Sequence, residues 1–264
     1  MNKFNPGATA GRLAGRVWLV GAGPGDPELI TLKAVRVLGL ADVILLDDLA
    51  NSALLTHAGP RARVIRVGKR GGCRSTPQAF ITRLMVREAS RGRQVVRLKG
   101  GDPSVFGRAA EEIDACRCAG IACEIVPGIT SASAAAAALG TPLTDRDHAR
   151  GVAFVTGHAK PGGPDPDWAA LAASGLTLVV YMGLSRGQSI ADALMAAGRP
   201  AGLPVAIVER ASLPGERVIP TTLAGLADTL VSQAVLSPAV LVVGEALDVA
   251  LAAVAEPLQR VGMA

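Results

Sequence analysis

Aromatic residues are scarce in this 264-residue chain, which has one Tyr, two Trp and four Phe. With so few rings there is no platform on which bases could stack, and no recognition motif accompanies the basic charge, so nucleic acid is not the expected partner. Long apolar runs are missing as well. No stretch approaches the roughly 20 uninterrupted apolar residues of a membrane span, and residues 1–11 are polar and Gly/Ala-rich, without the apolar run of a signal peptide. The expected compartment is the cytoplasm, with no membrane partner. Cysteine is limited to Cys73, Cys116, Cys118 and Cys123. Nothing places the chain in an oxidising compartment, so free thiols are expected rather than bridges. The cysteine spacings match no common zinc ligand pair, and His148 and His158 lie far along the chain, so no metal site is expected.

Half of the residues are apolar, enough for a sizeable core in one large domain or two small ones. The formal charge is +5 and is unevenly spread: twelve of the twenty-seven Lys and Arg residues lie between positions 61 and 99, where Glu88 is the only acid. That bias suits a small polycarboxylate ligand or a solvated arginine face.

From Arg16 onward, short apolar runs alternate with segments of helical period, the signature of an α/β protein rich in parallel strands. Strands are expected at 17–20, 43–47, 64–67, 95–98 and 124–126, with helices near 29–38, 52–58, 77–90 and 104–119. Thr76 followed by Pro77 reads as a capped helix start, and Gly92 and Gly120 as left-handed helix ends. After an alanine-rich stretch at 131–139 the pattern restarts, with strands at 152–156, 177–182, 205–210, 217–219 and 240–243. The turn-forming 213–216 between two of these predicts antiparallel pairing in this half. The chain is thus expected to divide into a tail at 1–15, a first α/β domain at 16–129 with a mainly parallel sheet, and a second at 130–264 with a mixed sheet.

Three glycine-containing loops follow strands of the first half, where ligands bind in open α/β sheets. The first runs from Gly21 through Pro24 to Pro27. A dinucleotide fingerprint needs Gly or Ala at position 26, whereas Asp26 stands there and would repel a pyrophosphate. The second, Lys99-Gly100-Gly101-Asp102-Pro103, precedes a helix expected to open with Ser104. The third contains Pro127-Gly128-Ile129-Thr130-Ser131. Glycines let a ligand approach the backbone, and a ligand without phosphate tolerates the aspartates.

The stretches VGAGPGDPELITLKA, VGKRGG, VVRLKGGDPSVFGRAAEE, VPGITSASAAAAALGTPLTDRD, VTGH, VVYMGL and SPAVLVVGEAL, in this order and spacing, resemble the tetrapyrrole methylases from about position 16 to 247. The resemblance implies two α/β domains with the methyl donor, S-adenosylmethionine, in a cleft between them, S-adenosylhomocysteine as product, and a homodimer. It implies cofactor contacts from Pro24, Gly100, Gly101, Asp102, Val105, Thr130, Ser131, Met182 and Ala211, with Asp47 as proton acceptor and Lys69 as proton donor. The GDPSVFGR and PLTDRD segments point to the branch that methylates the first cyclic tetrapyrrole of the route to sirohaem and cobalamin, rather than a later precorrin; a noncatalytic binding protein is the rival of another class. Departures from the family pattern are Leu46, where an aromatic is frequent, and Ala211, where glycine is frequent. No dehydrogenase-chelatase module precedes Arg16, so a standalone enzyme stopping at precorrin-2 is expected.

A polycarboxylate tetrapyrrole needs arginines that bind carboxylates in fork geometry. The candidates are Arg108, also counted with the catalytic residues, Arg146 and Arg70. Glu111 or Glu112, three and four residues after Arg108, is placed to orient it on one helical face.

Overall fold

Runs of aliphatic and β-branched residues form the strands of two five-stranded sheets in the computed structural model, which describes residues 15–68, 76–158 and 163–247. Contacts divide the chain into two units, Met1–Ile129 and Thr130–Ala264.

The first unit runs β1 (Arg16–Gly21), α1 (Leu32–Leu40), β2 (Val43–Leu46), β3 (Arg63–Arg66), α2 (Gln78–Ser90), β4 (Gln94–Lys99), α3 (Ala109–Cys118) and β5 (Ala122–Val126). Its strands lie in the order β3-β2-β4-β1-β5, and every pairing is parallel. A parallel sheet must be covered on both faces, and the two-residue alternation of strands divides the work. Trp18, Val20, Ile44, Leu46, Val96 and Leu98 pack with Val37 and Leu38 of α1, whereas Val17, Leu19, Val43, Leu45 and Val95 pack with Leu84 and Met85 of α2 and Cys116 of α3.

The second unit runs α4 (Ser131–Leu139), β6 (Val152–Thr156), α5 (Trp168–Ala173), β7 (Thr177–Tyr181), α6 (Gly187–Ala196), β8 (Pro204–Glu209), β9 (Arg217–Thr222), α7 (Leu226–Ser232) and β10 (Ala239–Val243). Its sheet, ordered β6-β7-β10-β8-β9, is mixed: β6 and β7 are parallel and the remaining pairs antiparallel. The expected hairpin forms, with Glu209 opposite Arg217 and Gly215 at φ 82° in the connecting turn. Alanines 132, 134 and 135 let α4 lie close on Val179, Val208 and Val242, while Trp168, Ile190, Leu194 and Leu226 cover the other face.

Four local expectations are corrected. The helix expected near 29–38 divides into a 3-10 turn at Pro27–Leu29 and α1, which starts at Leu32 because Thr31 caps it, accepting from the Ala34 amide at 3.2 Å. The segment at 52–58 is a 3-10 helix, Ser52–His57. Thr76 does not cap α2: its hydroxyl donates to the Gly68 carbonyl at 3.3 Å, and Pro77 precedes the first helical residue. The helix expected from Ser104 begins at Ala109, because Phe106 and Arg108 take left-handed conformations, at φ 49° and 55°, that a helix cannot contain. Gly92 and Gly120 do adopt positive φ at the ends of α2 and α3. Cys116, Cys118 and Cys123 are free thiols; Cys73 lies outside the described residues.

Candidate active site

Every strand of the first sheet points its carboxyl end to one edge, and the glycine loops meet there. Gly23 and Gly101 exchange backbone hydrogen bonds at 3.2 and 2.7 Å, and the Ala22 amide donates to the Lys99 carbonyl at 2.7 Å. The third loop closes over them. A Cβ on Gly21 would lie 2.6 Å from the Gly128 backbone, and one on Gly128 only 2.4 Å from the Gly101 oxygen. No side chain fits at either position, so glycine is required there by close approach of backbone to backbone.

Asp102 ties two of these loops. One carboxylate oxygen accepts from the Ser104 amide at 2.7 Å and the other from the Gly128 amide at 2.9 Å. A carboxylate has roughly four acceptor positions, so capacity for a ligand hydroxyl or ammonium remains. Pro24, Gly100, Gly101 and Val105 are half-buried on the same loops. Asp26 accepts from the Glu28 amide at 2.9 Å, filling with a negative charge a helix-start donor that a dinucleotide fold would offer to phosphate.

Asp47 follows β2 directly. Its Oδ1 accepts from Arg97 Nη2 at 3.2 Å, while its side chain keeps 30% exposure. Beneath it lies a cluster that sequence reasoning did not find. Arg97 Nε and Gln78 Nε2 donate to Glu112 Oε1 at 3.2 and 2.9 Å, and Lys99 Nζ donates to Glu112 Oε2 at 3.0 Å. Arg97, Lys99 and Glu112 are all buried. Burial and the neighbouring Arg97 charge hold the Lys99 ammonium below the usual lysine range, against the opposite pull of Glu112.

Glu111 and Glu112, considered together in the sequence, face opposite ways. Glu111 forks onto Arg108, with Nε and Nη2 both donating at 2.8 Å, and this raises the Arg108 pKa. Glu112 turns inward. Arg108 and Glu111, with Pro77, Gln78, Thr82 and Arg83, line an open hollow of about 600 Å³. Lys69 and Arg70 lie outside the described residues.

Six of the twelve basic residues at 61–99 are answered by acids of the same unit. Besides Arg97 and Lys99, four arginines surround the buried Glu88: Arg63 at 3.0 Å, Arg87 at 3.1 Å, Arg91 at 3.6 Å and Arg93 in closer contact.

In the second unit, Thr130, Ser131, Met182 and Ala211 lie where β7 and β8 end. Thr130 Oγ1 and Tyr181 Oη lie 2.6 Å apart, and the Ala132 amide donates to the same phenol at 3.0 Å, so the chain's one tyrosine stands in for a side-chain cap on α4. Its isolation in the stretch VVYMGL was the signal available in the sequence. Ser131 opens α4, half-exposed Met182 follows Tyr181 at φ 54°, and buried Ala211 lies between Arg210 and Ser212, at φ 55° and 62°. Arg146 is exposed on a loop pinned by Asp145, which accepts from the amides of Asp147 and His148 and from His148 Nδ1.

Parallel strands ending in mutually packed glycine loops define an open α/β protein whose candidate ligand edge has carboxylates on the amides that a phosphate cradle would leave open. The chain belongs to the Tetrapyrrole (Corrin/Porphyrin) Methylases, whose profile matches residues 16–227. It is 54% identical over 233 residues to the uroporphyrinogen-III C-methyltransferase of Pseudomonas aeruginosa, covering 88% of this chain and 94% of that one. Its fold is similar to the uroporphyrin-III C-methyltransferase of Thermus thermophilus solved with S-adenosylhomocysteine, at TM-score 0.76 and 44% identity, covering 89% of this chain and 94% of that one. A cobalt precorrin-4 methyltransferase has a TM-score of 0.78 at 30% identity, covering 88% and 96%. The chain spans about half the length of the sirohaem synthases it also matches.

Proposed function

We propose that this chain is an S-adenosylmethionine-dependent C-methyltransferase that methylates uroporphyrinogen III at ring positions C2 and C7, giving precorrin-2 by way of precorrin-1 for sirohaem or cobalamin synthesis. The observation that carries the reading is 54% identity along nearly the whole of the Pseudomonas enzyme. A later precorrin is the second reading, because the fold is equally similar to a precorrin-4 enzyme; identities of 30% there and 44% to the Thermus enzyme favour the first substrate.

The donor set suits S-adenosylmethionine, which has no phosphate and bears its methyl on a sulfonium, a good leaving group. Pro24, Gly100, Gly101, Asp102, Val105, Thr130, Ser131, Met182 and Ala211 are the proposed contacts. Aligning a nucleophilic pyrrole carbon with the methyl group is mainly an entropic contribution. What remains is proton management. Asp47, partly exposed at the end of β2, accepts the proton that the methylated carbon loses, and Lys69 is the proposed donor. Arg108, steadied by Glu111, and Arg146 bind carboxylates of the substrate. A homodimer is part of the proposal.

Anaerobic incubation with S-adenosylmethionine and uroporphyrinogen III, followed by mass spectrometry, tests it. Two methyl additions are expected. No addition, with S-adenosylhomocysteine still bound, would shift the assignment to a later precorrin or to binding alone.

A further inference from the structure

We propose that Arg97, anchored by the buried Glu112, is the positioning residue for Asp47, fixing which carboxylate oxygen faces the substrate. The inference rests on the role of Asp47 given above.

Strand alternation creates the arrangement. Along β4, Val95, Arg97 and Lys99 point to one face, and on β2, Val43 and Leu45 share that face and Asp47 continues it. Toward the carboxyl edge, aliphatic packing therefore gives way to charge. All three Arg97 nitrogens are committed: Nε to Glu112 at 3.2 Å, Nη1 to the Leu45 and Leu98 carbonyls at 3.4 Å, and Nη2 to Asp47 at 3.2 Å. Such a guanidinium cannot swing, and Asp47 inherits its orientation through a charge-assisted hydrogen bond. Glu112 is in turn held from α2 by Gln78 and from β4 by Lys99.

Arg97 and Lys99 bring two positive charges beneath the strand end that carries Asp47, and the buried Glu112 accepts from both. Asp48, the next residue, is exposed and is the other acid at this strand end.

Three variants test the role: Arg97→Gln, Arg97→Lys and Glu112→Gln, with wild-type turnover establishing the reaction first. In Arg97→Gln kcat should fall by on the order of 10- to 100-fold. S-adenosylhomocysteine affinity should be unchanged. Arg97→Lys, with the charge but not the fork, should restore part of the rate. Glu112→Gln removes the anchor of Arg97, so kcat should fall there too, by less than in Arg97→Gln. In an Asp47→Asn background, Arg97→Gln should add little further loss. Equal losses in both backgrounds, or a loss of S-adenosylhomocysteine affinity that matches the loss of kcat, would overturn the proposal. A wild-type protein that transfers no methyl would overturn the proposed function instead.

Discussion

In the proposed reaction, Asp47 and Arg108 divide the chemistry at the level of single residues. Asp47→Asn keeps shape and the possibility of a hydrogen bond to Arg97 but cannot take a proton. Its kcat should fall by about 10²- to 10⁴-fold, the range for a lost general base, with S-adenosylhomocysteine affinity unchanged by calorimetry. Arg108 sits in a left-handed conformation at φ 55° just before α3, a strained backbone for a side chain of its size. Because Glu111 engages Nε and Nη2, Nη1 remains to meet a substrate carboxylate. Arg108→Ala should lower kcat/KM for the tetrapyrrole by about tenfold or more, read from initial rates at saturating methyl donor. Glu88 makes a separate prediction about stability. Burial alone would raise its pKa, but the hydrogen bond from Arg87 and the charges of Arg63 and Arg93 outweigh burial and lower it below the ordinary 4.5. A carboxylate with a depressed folded-state pKa stabilises fully above its unfolded pKa, and the contribution disappears as pH falls through the folded value. Urea titrations of wild type and Glu88→Gln should therefore show a constant stability gap from pH 7 down to about 4.5, narrowing below it.

Among the elements, the three packed loops tolerate little change. In Gly128→Ala the new methyl meets the Gly101 oxygen at 2.4 Å and the Gly21 Cα at 2.8 Å, both backbone, so a loop must move. A tenfold or greater weakening of S-adenosylhomocysteine binding is expected, about 1.4 kcal/mol. Gly120→Ala is the control, because it also sits at positive φ, 67°, but its Cβ would meet nothing within 4 Å. It should cost about 1–2 kcal/mol of stability and leave affinity untouched. The same loops show how much was legible in advance. Strands β1, β2 and β4 were readable because a parallel sheet buried on both faces needs unbroken aliphatic runs. The start of α3 was not, since nothing in Ser104 to Arg108 announces that Phe106 and Arg108 turn left-handed. Asp47 could be placed at a strand end from the pattern alone. Arg97 and Lys99 could not be placed inside, because an isolated basic residue in a strand reads as solvent-facing until α2 and α3 bring Gln78 and Glu112 over it. The role of Met182 or Ala211 came from motif resemblance, since a methionine or alanine carries no chemistry that spacing reveals.

For the whole molecule, the question is which nucleoside ligand stabilises the folded chain. A ligand that binds only the native state adds RT ln(1 + [L]/Kd), about 2.7 kcal/mol at a hundredfold excess over Kd. In a chain of this size that is a Tm rise of several degrees. NADH and S-adenosylhomocysteine both carry adenosine, but NADH brings a pyrophosphate that needs open helix-start amides. Asp26 already occupies the Glu28 amide with a carboxylate, and Asp102 accepts the Ser104 amide in the second loop. A pyrophosphate would have to displace these acids and then lie beside their charge. S-adenosylhomocysteine brings an ammonium and ribose hydroxyls that acids can accept, and its carboxylate can be directed away from them. Thermal scans across a concentration series should show Tm climbing with S-adenosylhomocysteine and flat with NADH. A climb with NADH alone would mean that the acidic loops do not select the ligand, and the assignment of the donor site would fall with them.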